Sequence, residues 1–192
     1  RAVEEGRRIF DNLVKFITWT LPTNGGEGLV ILAAIFSGVT LPILPVQILW
    51  INMTTAILLG LMLAFEPAEP DIMNYPPRDP RSPILNGTLI LRISLVIALM
   101  LAAVFGIFIW QRQQGYSLAE ARTVAVNLFV MIELAYLFNC RSLTTSMFKI
   151  GVFSNPWVLF GSAAMIVLQL LYTYTPVMNR IFQSEPISGR DW

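Results

Sequence analysis

A chain of 192 residues that is 55% hydrophobic and 13% charged departs from soluble domains, in which about a quarter of residues are charged. Thirteen basic against twelve acidic residues leave a net charge of +1, which offers no electrostatic footprint for nucleic acid. One cysteine and no histidine exclude an internal disulfide framework and any His or multi-Cys metal centre, so a metal site would be built from oxygen ligands suited to hard cations such as Ca²⁺ or Mg²⁺.

The charges are clustered, and the runs between them read as an all-α membrane protein, a bundle of about five transmembrane helices. Residues 1–10 are charged, and a start at Arg1 without Met or a signal-like apolar run reads as a piece of a longer protein. The predicted spans are 10–36, 45–65, 85–110, 123–139 and 156–174. Each is long enough for the roughly 20 residues that cross a bilayer core. Ser37–Leu44 reads as a tight Gly/Pro turn. Residues 66–83 hold six prolines and should be irregular. Residues 111–122 and 141–155 are polar connections.

Five spans place the termini on opposite sides. Arg1, Arg7, Arg8, Lys15, Arg78, Arg81, Arg92, Arg141 and Lys149 then share one side, and Arg112, Arg122, Arg180 and Arg190 the other. The positive-inside rule puts the first group and the N-terminus in the cytoplasm. There is no convincing internal repeat and no low-complexity tract.

The informative residues are polar groups in the wrong solvent, because a charge at mid-bilayer costs about 2.5–3.5 kcal/mol on insertion scales. Glu27 follows Pro-Thr-Asn-Gly-Gly, and Asn24, three residues earlier, shares its helical face. Pro22 frees a backbone carbonyl and the glycines loosen the helix, which predicts a broken helix beside a carboxylate, as a buried ion site requires. The alternative is a kink with a protonated, hydrogen-bonded Glu27. Asn52 and Thr55 share a face of the second span and offer neutral oxygens, for an ion or for interhelical hydrogen bonds. Glu133 lies near the middle of its span, too deep to snorkel; two such glutamates in one small bundle can share a cation, and the alternative is a protonated carboxyl bonded to a neighbour. Gln47, Gln169, Cys140 and the methionines read as packing or span-end residues, and Arg92 as a snorkelling one.

Three segments carry a resemblance. Arg1–Asn12 (RAVEEGRRIFDN) resembles the stretch where the phosphorylation domain of a P-type cation ATPase enters its fifth membrane helix. Leu44–Asn52 (LPVQILWIN) resembles the start of the sixth, and Asp71–Arg78 (DIMNYPPR) the cytoplasmic loop after it. The pattern extends over nearly the whole chain and is similar to the calcium-pump-type branch in a bacterial version. The resemblance implies that residues 1–192 are the C-terminal transmembrane region of such a pump. Residues 1–10 would be the stalk, and the spans would be helices five to nine, in a bacterial plasma membrane.

It implies cation ligands at Asn24, Glu27, Asn52, Thr55 and Glu133. The cargo would be Ca²⁺, with protons countertransported. The partners would be the lipid bilayer, the remaining membrane helices and the cytoplasmic domains of the same pump. ATP and Mg²⁺ would bind only to those domains, because the Asp-Lys-Thr-Gly phosphorylation motif is absent here. The chain alone should therefore not hydrolyse ATP. One position departs from the family: Ala56 stands where calcium pumps of the sarcoplasmic-reticulum type carry an Asp that bridges two calcium ions. That implies one ion per cycle. The competing readings are a secondary cation transporter or channel without ATP coupling, and a non-transporting membrane scaffold.

Overall fold

The computed structural model describes residues 1–69, 72–74, 76–77, 81 and 83–192. Among these residues there is no strand. Asp71, Tyr75 and Arg78 of the loop motif lie outside the described residues, as does the side assignment of Arg78.

The helices, numbered in chain order, are α1 (Ala2–Ser37), α2 (Pro45–Leu58), α3 (Gly87–Gln113), α4 (Leu118–Cys140), α5 (Met147–Ile150), α6 (Pro156–Tyr174) and α7 (Pro176–Phe182). A 3₁₀ turn over Gly60–Phe65 continues α2. Local sequence explains the boundaries. Gly38 ends α1 in the left-handed region (φ 65°), and its own and Val39's N–H return to the Ile35 and Ala34 carbonyls. Pro45 opens α2, where the Gln47 side chain accepts from the Leu44 N–H. Asn86, Ser117 and Asn155 cap α3, α4 and α6 through their side-chain oxygens.

Four helical stretches, 45–65, 87–113, 118–140 and 156–174, are long and apolar enough to cross a membrane. They make this an integral membrane protein. The fifth predicted span, 10–36, is the larger part of α1. It is long enough to cross, but Lys15, Thr18, Thr20, Thr23, Asn24 and Glu27 make it more polar. The polar ends of α3 and α4 shorten the link between them to residues 114–117, and short α5 and α7 were not foreseen.

Side-chain pairs fix the directions. Asn12 donates to the Ala64 and Glu66 carbonyls and Asn52 to Glu27, so α2 returns antiparallel to α1. Arg122 donates to Leu41 O, and Tyr136 to Thr18 O, so α4 also opposes α1. Gly25 and Gly26 face Ile97 and Met100, while Arg92 donates to Asn139 O, which aligns α3 with α1 and opposes it to α4. Asn155 donates to Glu66 and Trp50 to Gln169, opposing α6 to α2. The bundle is therefore up-down, with one end holding Arg7, Lys15, Arg92 and Arg141 and the other holding Arg112 and Arg122, the split expected for an odd number of spans.

The core is a single cluster that includes Trp19, Ile51, Leu59, Met100, Phe108, Phe129, Leu137, Met165 and Tyr172. Leu91, Leu95 and Leu99 of α3 and Leu49, Met53 and Ile57 of α2 stay exposed, as lipid-facing side chains must.

Candidate functional site

Pro22 and the glycines after it predict a break in α1, yet the helix runs unbroken through them. A proline removes one helical donor, here the partner of the Thr18 carbonyl. Tyr136 of α4 supplies the replacement, its hydroxyl donating to Thr18 O at 3.2 Å. The glycines serve close approach. A Cβ on Gly25 would stand 2.7 Å from Ile97 Cδ1, and one on Gly26 3.2 Å from Met100 Cβ. The stretch that reads as loose is thus the contact face for α3, and the freed carbonyl is spent on α4.

Beside Tyr136→Thr18, Trp19 Nε1 donates to Glu133 O at 3.0 Å. These two bonds fix the height of Glu133 against α1. A helical side chain leans toward its own N-terminus, and α4 opposes α1, so the Glu133 carboxyl leans from the level of Trp19 toward Glu27. The two carboxylates come close enough for their charges to interact, and Glu133 lies near Thr55, whose hydroxyl donates to Ile51 O at 2.9 Å. Asn52 Nδ2 donates to Glu27 Oε2 at 2.7 Å. Glu27 is 5% exposed and Glu133 1%. Each keeps one buried oxygen with no partner, Glu27 Oε1 and Glu133 Oε2.

Four of the five predicted ligands therefore meet: Glu27 from α1, Asn52 and Thr55 from α2, and Glu133 from α4. Asn24 does not join them. It lies exposed on α1 while Glu27 is buried, and Ala56 is exposed as well. Among the described residues no group of three or more Asp, Glu, His or Cys side chains converges. The site is two carboxylates among neutral oxygens. Orphaned acceptors of this kind suit a hard cation, although Ca²⁺ takes six to eight oxygens, more than these four side chains place together.

Sequence reasoning missed several residues that build the surroundings. Trp19 reads from the sequence as an interfacial tryptophan near a span end, yet it is buried, and Tyr136 carries no signal in the sequence. Arg141, 1% exposed, donates twice to Glu66 Oε1, at 2.9 and 3.0 Å. Asn155 donates to Glu66 Oε2 at 2.7 Å. Lys15 lies 3.5 Å from Glu69, which also accepts from Ser142. This network ties α1, the 3₁₀ turn and the α4–α6 connection at one end of the bundle. A cleft of about 470 Å³ opens there between Lys15, Glu69, Arg141 and Lys149 and does not reach the carboxylate pair. Arg92 lies over the Tyr136 ring at 5.5 Å and donates to Asn139 O.

The family described as cation transporting ATPase, C-terminus, matches residues 40–192. A Mycobacterium tuberculosis protein named "Probable cation-transporting ATPase F" is 59% identical over 191 residues, covering 100% of this chain and 21% of its own length. The cation-transporting ATPase pma1 of Synechocystis is 36% identical, covering 100% of this chain and 22% of its own. A calcium-transporting ATPase of Bacillus subtilis is 33% identical with the same two coverages. The chain thus spans about a fifth of the length of these relatives.

Proposed function

Because the chain belongs to the cation-transporting ATPase family, as part of its C-terminal region, we propose that it forms the carboxylate-bearing half of the ion path in an ATP-driven cation pump. The observation that carries this reading is the pair Glu27 and Glu133, both buried, within electrostatic reach of each other and with one unpartnered oxygen each. Buried polar atoms normally find partners, and intramembrane carboxylates are retained where they do work.

In this reading Glu27 Oε1 and Glu133 Oε2 take the cation, and Asn52 Oδ1 and Thr55 Oγ1 complete this chain's side of the shell. Asn52 Nδ2 holds the Glu27 carboxylate in place. Asn24 serves from the open face of α1, where helices of the longer protein pack. Relatives named as calcium-transporting ATPases and the all-oxygen donor set favour Ca²⁺ as cargo. Ala56 removes a carboxylate from α2, which fits one ion per cycle. Charge balance then sets the exchange: a divalent cation neutralises two carboxylates, as two protons do, so swapping one for the other leaves this pair neutral. ATP hydrolysis and its Mg²⁺ belong to domains outside this chain. The end carrying Arg7, Lys15, Arg92 and Arg141 faces the cytoplasm of a bacterial plasma membrane, by the bias of basic residues.

Equilibrium binding of radiolabelled Ca²⁺ to the full-length protein in lipid tests the reading. It predicts saturable binding of one ion per protein, lost in Glu27→Gln and in Glu133→Gln. Binding unchanged by both substitutions refutes it.

A further inference from the structure

A second buried polar cluster lies away from the carboxylate pair, in the contact between α2, α4 and α6. Trp50 Nε1 of α2 donates to Gln169 Oε1 of α6 at 3.3 Å. Gln169 Nε2 donates to Asn127 Oδ1 of α4 at 2.6 Å. The Thr173 hydroxyl, one turn along α6, lies 3.2 Å from the same Asn127 oxygen and 2.8 Å from Gln169 O. Gln169 and Thr173 have no exposure and Asn127 has 4%. Trp50 is held in turn by Tyr172, stacked at a centroid distance of 5.8 Å, and by Phe182 at 5.2 Å. Polar side chains buried in a membrane bundle fix helices to one another, and a chain of them acts as a unit.

The members of this chain sit on the helices that carry the candidate ligands. Trp50 precedes Asn52 by two residues. Asn127 precedes Glu133 by six, roughly 9 Å along α4 at 1.5 Å per residue. Gln169 joins the two helices from α6, which itself carries no ligand.

We propose that Trp50, Gln169 and Asn127 form an interhelical clamp whose positioning role is to set the separation of α2, which carries Asn52 and Thr55, from α4, which carries Glu133. The consequence for cation affinity rests on the transport reading above, whereas the clamp itself does not. Removing any link should release the same constraint, so Gln169→Leu, Asn127→Leu and the double substitution should behave alike. Independent packing residues would instead add their effects.

The test uses the full-length protein in lipid nanodiscs, freed of other cysteines, with spin labels at Met53→Cys on α2 and Ala135→Cys on α4, both exposed positions. Electron–electron double resonance reads the distance between them. Asn127→Leu and Gln169→Leu should each shift or broaden the distribution by about 1–2 Å, the scale of helix displacements in switching proteins, and the double substitution should go no further. Trp50→Phe, which keeps an aromatic ring but loses the N–H together with the indole's five-membered ring, should move it in the same direction. Cation-stimulated ATP hydrolysis should show a half-activating concentration raised about tenfold, as for residues that orient metal ligands, with kcat within about twofold. Unchanged distances in the single variants overturn the clamp, as do shifts that add in the double. Shifted distances with an unshifted half-activating concentration overturn its positioning role. If the unsubstituted protein shows no cation-stimulated hydrolysis, the transport reading fails, and the distances still decide the clamp.

Discussion

Gly161 is where α6 crosses the end of α2. A Cβ there would stand on the Leu58 carbonyl oxygen, 3.1 Å from the Leu58 carbonyl carbon and 2.8 Å from Met62 Cγ. The Met62 side chain can swing aside, but the Leu58 backbone cannot. Carbon atoms pack best at about 3.5–4.0 Å, so in Gly161→Ala the helices must part by at least roughly 0.4–0.9 Å at the carbonyl carbon and further at the oxygen. Overpacking of this kind costs about 1–3 kcal/mol. The parting also stretches the Trp50–Gln169 and Asn155–Glu66 bonds on either side of the crossing, each worth about 0.5–1.5 kcal/mol. The expected loss is therefore about 2–6 kcal/mol, read from reversible unfolding in mixed detergent micelles. Gly106→Ala on α3, where nothing lies within 4 Å of the added carbon, is the control and should be neutral or slightly stabilising. A Gly161→Ala protein within about 0.5 kcal/mol of the parent, the ordinary range for surface changes, would refute the reasoning.

Other expectations follow from the same contacts. Tyr136→Phe leaves the Thr18 carbonyl, already without its helical donor, unpaired in the core, and should destabilise by about 1–3 kcal/mol in the same unfolding assay. A second substitution, Pro22→Ala, restores the helical N–H and should recover most of that loss. Arg141→Leu strands Glu66, which is 2% exposed, and should cost about 3–5 kcal/mol, whereas Arg141→Leu with Glu66→Leu should cost less than either alone. At the opposite end, the Ser188 hydrogen bonds hold the Asp191 carboxyl below its ordinary 3.8. A depressed carboxylate stabilises the fold above its unfolded value and loses that stabilisation as pH falls through the folded value. Amide protection factors in residues 183–192, corrected for the intrinsic pH dependence of exchange, should therefore fall only below about pH 4, and Ser188→Ala should move that onset upward.

The bundle was legible because its determinants are local. Long apolar runs must be helices in lipid, and the Gly/Pro turn over 37–44 stands in sequence between the two helices it separates. Glu27, Asn52, Thr55 and Glu133 were legible as polar groups that an apolar run would otherwise exclude. The misreading of Pro22–Gly28 has a definite cause. The donor that repairs the proline is Tyr136, 118 residues from Thr18, and the surface that needs the glycines is α3. Neither is visible from the local sequence. Arg141 likewise looked like one more basic loop residue, because its partner Glu66 lies 75 residues earlier. Gln169 looked like packing because a lone amide on a helix does not announce the Trp50 and Asn127 groups that meet it.

If Glu27 and Glu133 are ligands of a transported cation, losing either carboxylate must abolish activation by that cation. ATP hydrolysis by the full-length protein in lipid, titrated with Ca²⁺, Mn²⁺, Na⁺ and K⁺ at fixed Mg²⁺, tests it most directly. Saturable activation by Ca²⁺ that disappears in Glu27→Gln and in Glu133→Gln is the expected result. Activation that survives both substitutions would contradict it and leave the buried carboxylates with a structural role alone.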